Sequence, residues 1–477
     1  MKNNLLSALL LSSLYCAMAQ AEPLTVVAMS DDKAFAAHKN QIENEFKQHL
    51  SQQEMDFMAM LKEQWQEMQS FQAQHQFSSP KPKQAPAVNP RPEKLLPKKQ
   101  ESKKTQPKKL HPVKLPTIKN QQDLQFNLYG RDLIFPKIKN LQAFEKNINN
   151  ESIADYWAAL ALVIKPVSKA LQETLEQYNA PDWLRYQLIK KYSEVSISDK
   201  NSQSLLAWAL FNDMGIDARI GYERNSIELL LPIKQNVYGS SYFTLSGQRY
   251  YRLSNESGRL IFYAAAVKKR ALDLGFKKHS LNYFSHYPIQ NIQLFDQNSK
   301  QMIDVRTRII YGDYFFDYPA MDFAKYFNTQ LELLSHKDLI KKLEQRTNGL
   351  NDFDKTQYLL TFVQYAFSYL TDQEQWGREY YSVPQHTLAL DSIDCEDRAF
   401  LFAYLVENIV GAKTIGLQYP GHLSVAVKLK NVPESTAGLT VAGERYYFAD
   451  PTYVGASIGM SQPDYENVEA KIINPLD

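Results

Sequence analysis

Cys395, His422 and Asp450 are the residues whose types and spacing could carry covalent chemistry in this chain. They stand in three short strings: Asp391-Ser-Ile-Asp-Cys-Glu-Asp-Arg398, Pro420-Gly-His422 and Phe448-Ala-Asp-Pro-Thr452. A thiol, an imidazole and a carboxylate supply a nucleophile, a base and a group that orients the base, the three roles of thiol-based acyl transfer. Singly, a lone cysteine is more often inert, a histidine structural and an Asp before Pro a turn or cap. The ordered set outweighs those readings.

The elements that must position them are legible nearby. Asp394 occupies an N-cap position, and a helix runs from Cys395 to about Glu407 with Phe400, Ala403, Leu405 and Val406 as its buried side. The free N–H groups and dipole at that helix start favour a thiolate. Glu396 and Asp397 oppose it if they point at the sulfur, so most activation is assigned to an imidazolium partner. His422 follows a Pro-Gly turn and opens an alternating strand, with Leu423, Val425 and Val427 on the core face and His422, Ser424 and Ala426 on the other. Tyr446 to Ala449 forms the next strand, which Asp450 ends, and Pro451 forces an extended exit.

These strings resemble the transglutaminase-like superfamily of papain-fold cysteine enzymes, over roughly Leu339 to Tyr465. Gln-Trp-Gly-Arg-Glu379, Asp-Cys-Glu-Asp-Arg398, Tyr-Pro-Gly-His422 and Asp-Pro-Thr-Tyr453 look like an exported bacterial subgroup. The resemblance implies that Cys395, His422 and Asp450 are catalytic. Familiar members often carry Gly before the cysteine and Trp shortly after the histidine, where this chain has Asp394 and Leu423-Ser424. The expected mechanism has the Cys395 N–H and a second donor holding the oxyanion, with Gln364 and Trp376 as candidates. The polar and aromatic stretch from Asp372 to Tyr381, expected to lack regular structure, is a candidate wall of the substrate cleft. Gln375, Arg378, Glu379 and Tyr419 are its candidate substrate contacts.

At 477 residues, with 44% apolar and 22% charged residues, the chain is long enough for two or more domains, and its net charge of +2 names no partner. Residues 1–21 have a basic start, an apolar run from Leu5 to Leu14 and small residues at Ala17, Ala19 and Ala21, the pattern of a secretory signal. The run is too short for a span, and bulky Tyr15 argues against Cys16 as a lipid acceptor. A periplasmic or secreted protein is expected, whose mature chain keeps one cysteine and so forms no internal disulfide.

Residues 22–78 read as a long amphipathic helix, with Phe35, Phe46, Phe57 and Met68 recurring every 11 residues. That interval suits a self-association seam or a helix lying on a surface. Residues 79–120 form a basic linker in which Ser79 to Lys119 holds nine prolines. It reads as a spacer, with an anionic envelope polymer as the alternative partner. No nucleic acid is expected, for want of interleaved aromatics.

The remainder is read as α+β. Residues 121–257 resemble a degenerate copy of the catalytic part: Asn201 to Arg219 follows the helix-then-strand pattern of Cys395 to Lys413, and Gln248-Arg-Tyr-Tyr251 echoes Glu444-Arg-Tyr-Tyr447. Asn201 to Ser226 is 25 residues against 27 from Cys395 to His422, and the next interval is 28 in both, ending at Ser254 and Asp450. Chance similarity between two ordinary α+β segments is the alternative. Residues 258–325 read as a β-rich connector or small sandwich, and residues 326–477 as the catalytic domain. No metal or nucleotide signature is present, and no cofactor is expected.

Two function classes follow. One is a cysteine enzyme that hydrolyses amide bonds of a protein or peptide, or crosslinks through the same thioester. The other is a non-enzymatic envelope scaffold built on papain-like modules.

Overall fold

The computed structural model of the protein describes residues 123–245, 247–254, 259–263, 269–276, 282–308 and 311–475. The leader, the long amphipathic helix and the basic linker expected over 1–120 lie outside the described residues. The α+β expectation holds for what is described.

Leu124 to Phe135, strand-like as a single piece in the sequence, is a hairpin, β1 (Asp123–Leu128) and β2 (Arg131–Pro136). Tyr129 and Gly130 turn it at positive φ, and a Cβ on Gly130 would meet the Tyr287 hydroxyl at 2.5 Å and its ring at 2.8 Å. Four helices follow: α1 (Asn150–Val163), α2 (Lys165–Gln177), α3 (Asp182–Ser196) and α4 (Lys200–Asp213). Their starts have local causes. Asn149 and Ser152 form a capping box, Pro166 opens the first turn of α2, and Asp199 accepts from the Ser202 N–H at 2.7 Å.

A first sheet comprises β3 (Arg219–Glu223), β4 (Ser226–Pro232), β5 (Ser241–Leu245), β6 (Gln248–Arg252) and β7 (Ile261–Phe262). Its spatial order is β5-β6-β4-β3-β7, antiparallel throughout, with α4 packed on β4.

The expected β-rich connector is no sandwich among the described residues. It supplies β7 to the first sheet and one hairpin, β8 (Gln290–Asp296) with β9 (Gln301–Thr307), before the short helices α5 (Tyr311–Phe316) and α6 (Phe323–Phe327). The hairpin buries Leu294, Ile303 and Val305 against α7 (Leu333–Arg346) and α8 (Asp352–Ala366).

The apolar spacing of Asp354 to Leu370 predicts a helix over that whole stretch, but α8 stops at Ala366. Ser368–Tyr369, here β10, instead pairs in parallel with Ser392–Ile393. The segment expected to be irregular opens with a turn of helix, α9 (Asp372–Gln375), capped by Thr371; α10 (Pro384–Thr387) and the Ser392–Ile393 strand, β11, follow.

Then come α11 (Cys395–Leu405), continued by a π-helical turn to Val410, and a second sheet. Its strands are β12 (Thr414–Tyr419), β13 (His422–Val427), β14 (Gly438–Val441), β15 (Glu444–Ala449) and β16 (Lys471–Ile473). The order is β14-β15-β13-β12-β16, again antiparallel, with α11 packed on β13. Numbered along the chain, both sheets run third, fourth, second, first, fifth.

The expected alternation of faces along β13 holds, but both faces are covered, so all six residues are buried. Leu423, Val425 and Val427 join the main core, while Ala426 joins a second cluster with Ile415, Leu417, Tyr419 and Tyr446 on the other side of the sheet. Among the described residues no helix is long and apolar enough to cross a membrane.

Candidate active site

Cys395 is the first residue of α11 and is buried, as is every residue of that helix. Asp394 has the extended backbone of an N-cap, but its side chain makes no capping bond. The thiol meets two neighbours of opposite effect. Its Sγ donates to Glu396 Oε2 at 2.8 Å, while the Leu423 N–H of β13 bonds to the sulfur. Burial, then the charges of Glu396 and Asp394, push the thiol well above its usual range, and the Leu423 contact only partly opposes this. The expectation of a helix start that favours thiolate is therefore corrected: Glu396 points at the sulfur and keeps the resting group protonated.

His422 and Asp450 do come together. His422 Nε2 and Asp450 Oδ2 are 2.8 Å apart, and both side chains are buried. Burial alone would raise the Asp450 carboxyl. The His422 charge and hydrogen bonds from His422, the Thr452 N–H and Gln462 outweigh it, and the net shift is downward. Thr452 N donates to Asp450 Oδ1 at 2.8 Å, so the Asp-Pro-Thr turn fixes the carboxylate. With Nε2 engaged, Nδ1 is the ring nitrogen left without a partner. The residue after His422 supplies the N–H at the sulfur, so the strand that carries the imidazole is the strand that touches the thiol.

Several contributors carried no local sequence signal. Gln462 Nε2 donates to Asp450 Oδ2 at 3.0 Å and lies 3.3 Å from His422 Nε2. Tyr465 stacks on the His422 ring at 5.0 Å, and Tyr419 stacks on Tyr465 at 4.9 Å. Burial first, with the ionisable groups of Cys395 and Asp394 beside it, pushes the Tyr369 hydroxyl further above its usual range. Arg398, 2% exposed, spends its guanidinium on main-chain carbonyls: Gln364 O at 3.1 Å, Phe367 O at 3.0 Å and Pro451 O at 3.4 Å. The Asp-Cys-Glu-Asp-Arg string contained it, but nothing in that string says that it faces inward.

Other expected site residues take different places. Gln364 cannot serve as an oxyanion donor, because its amide donates to Tyr453 O at 2.8 Å, Ala456 O at 3.2 Å and Asp450 O at 3.3 Å. It braces the Asp450 loop instead. Trp376 packs on Phe316 and Tyr380, with no contact placing it at Cys395, and Arg378 lies over the Phe316 ring at 4.4 Å. Gln375 ends α9, half-buried. Glu379 is half-buried near enough to raise the Asp394 carboxyl through its charge. Tyr419 belongs to the ring stack over His422.

Acidic groups gather beside the thiol. Asp372, Asp394 and Glu396 each bring an oxygen within 4.8 Å of the others, all three buried. Burial, then Glu396 and other acidic neighbours, raise Asp394 and push Asp372 up to about 10. Neither Asp394 oxygen has a partner. Asp397 is raised by burial and Glu396, and accepts from Ser382 N at 2.8 Å. Asp372, Asp394 and Glu396 form the set among the described residues that could hold a hard cation. They come from two segments that meet only in the fold, so no metal-ligand spacing shows in the sequence.

The first sheet's equivalent seam is built differently. Asn201, near the start of α4, accepts from Ile227 N at 2.8 Å and donates to Asn225 O at 3.2 Å. Its Ile227 bond repeats the geometry of Cys395 with Leu423, using an amide for a thiol. Ser254 donates to Glu228 at 2.9 Å, and Arg252 pairs with the same carboxylate at 3.1 Å.

Compared with protein-family models, with curated proteins and with solved structures, the chain matches none.

Proposed function

We propose that this protein is a cysteine acyl-transfer enzyme that cleaves amide bonds of a peptide or protein through a thioester on Cys395. The observation that carries the reading is the oriented imidazole: Nε2 is fixed by Asp450 while partner-free Nδ1 sits on the strand that contacts the sulfur. Nδ1 takes the Sγ proton once the contact with Glu396 breaks, and sulfur attacks the carbonyl carbon. The Cys395 N–H at the helix start steadies the oxyanion, and collapse expels the amine, which takes its proton from His422. Water then hydrolyses the thioester, or a second amine takes the acyl group and a crosslink results.

The common strand order of the two sheets supports reading residues 121–257 as a second papain-like module without nucleophile. That module has Asn201, Ser226 and Ser254 where Cys395, His422 and Asp450 stand, and this loss of the three groups is the observation on which a scaffold reading of the whole chain rests. The signal pattern of residues 1–21 supports export to the periplasm or beyond.

Alkylation of Cys395 by iodoacetamide, followed by mass spectrometry from pH 4 to 9, tests the reading. Wild type is expected to label at pH 6 to 7 at least about tenfold faster than His422→Ala, with Asp450→Asn between them. Labelling of the folded protein that is indifferent to His422 overturns the enzyme and leaves the scaffold.

A further inference from the structure

A cavity of about 780 Å³ opens where the start of α3, the end of β9, α5 and the first turns of α7 meet, and none of Cys395, His422 or Asp450 lines it. Its volume is that of a small-molecule site. The walls are aromatic and aliphatic: Phe276, Tyr314, Phe315 and Tyr318, with Leu331 and Val383. One end is cationic, with Arg306, Arg308 and Lys337 against two carboxylates, Glu332 in the lining and Asp338 behind Arg306.

The bonding explains why the cations share that end. Arg306 Nε and Nη2 hold Asp338 of α7 at 3.1 and 3.0 Å. Arg308 Nε donates to Tyr287 O at 3.1 Å, and its Nη1 holds Glu332, the residue before α7. The end of β9 is thus laid along the first turns of α7, which carry Lys337. Arg306 Nη1, Arg308 Nη2 and the Lys337 ammonium have no partner among the described residues. The start of α7 has no side-chain cap, and Leu333 and Leu334 line the cavity there, so the helix end adds to the same positive potential.

We propose that this cavity binds a small organic acid, with a flat apolar body among the four rings and one carboxylate against Lys337, Arg306 and Arg308. A neutral molecule of the same shape leaves those donors desolvated and unpaired, and a cation is repelled. The site is independent of the acyl-transfer reading, and its test uses binding alone.

The full-length protein is titrated with 2-naphthylacetate and with its neutral isostere 2-naphthylacetamide, by calorimetry and ligand-observed NMR. The acid is expected to bind saturably at one site. The amide, and the acid with Lys337→Glu, are each expected to bind at least about tenfold more weakly. Lys337 is exposed and bonds to nothing in the fold, so the variant should melt with wild type. Lack of saturable binding of the acid at millimolar concentration, amide affinity equal to that of the acid, or indifference to Lys337→Glu overturns the proposal.

Discussion

Glu396→Gln is expected to waken the resting thiol. In the wild type the Cys395 Sγ donates to Glu396 Oε2 at 2.8 Å, inside a site where both residues are buried. At an effective dielectric constant of about 20, two unit charges that close repel by roughly 6 kcal/mol, an upper bound that relaxation and the other carboxylates reduce. Like charges sharing a site part by about 2 to 3 pKa units, and we take about 2 for the loss of this one. Gln keeps the shape, removes the charge and offers an N–H to the sulfur, so every change lowers the thiol pKa. At neutral pH, below that pKa, the thiolate fraction then rises about 100-fold. Nucleophilicity falls with basicity by about eightfold for the same shift, at a Brønsted slope near 0.45, so the net gain in alkylation rate is about tenfold. Stopped-flow alkylation at pH 7, with the pH–rate curve moved to lower pH, is the measurement. A rate equal to or below wild type with an unmoved curve would show that Glu396 does not hold the thiol, and the electrostatic account of the site would fail.

The remaining predictions concern stability. Burial, Glu396 and Asp397 push Asp372 up to about 10 in the fold, so the native state keeps a proton that the unfolded chain sheds above about pH 4. Stability from this group is full below about pH 4 and is lost as pH rises toward 10. Asp372→Asn cannot ionise and should raise the melting temperature by several degrees at pH 8 while changing little at pH 4; parallel pH profiles for variant and wild type would refute this. Arg398→Met strips the donors from the carbonyls of Gln364, Phe367 and Pro451 and should cost about 3 to 5 kcal/mol in urea unfolding, against well under 1 kcal/mol for a surface arginine.

What could be read from the chain was what short stretches decide alone. Asp-Cys before an apolar helix, Gly-His opening a strand and Asp-Pro-Thr closing the next are local patterns, and the fold joins His422 to Asp450 as their order suggests. The helix starts capped by Asn149, Asp199 and Asn351 have equally local causes, since the cap and the N–H it satisfies lie within three residues, but the apolar patterns alone begin near Asp155, Leu205 and Asp354 and miss them. What failed was decided at a distance. Ser368–Tyr369 leaves the helical pattern because β11 offers a parallel partner 24 residues on. Gln462 and Tyr465 reach His422 only because the chain must pass back over the sheet to add β16 beside β12. Asp394 has the residue type of a cap, but an acidic cluster assembled from two segments sets its environment instead. Gln364 is a reasonable oxyanion donor by type, and only the Asp450 loop folded around it shows that its hydrogens are taken.

The two sheets differ where each helix meets its second strand, in the polar contacts made there. At Asn201 an amide bonds the segment leading into and starting the strand in both directions, one bond donated and one accepted. At Cys395 the corresponding polar contact is one N–H to sulfur, weaker than a bond to oxygen, and apolar packing of the buried helix on β13 holds the rest. The first sheet's joint thus carries two bonds where the second carries one. On the acyl-transfer reading we propose, the Leu423 N–H is the contact that must be lost or shared when Cys395 takes up an acyl group.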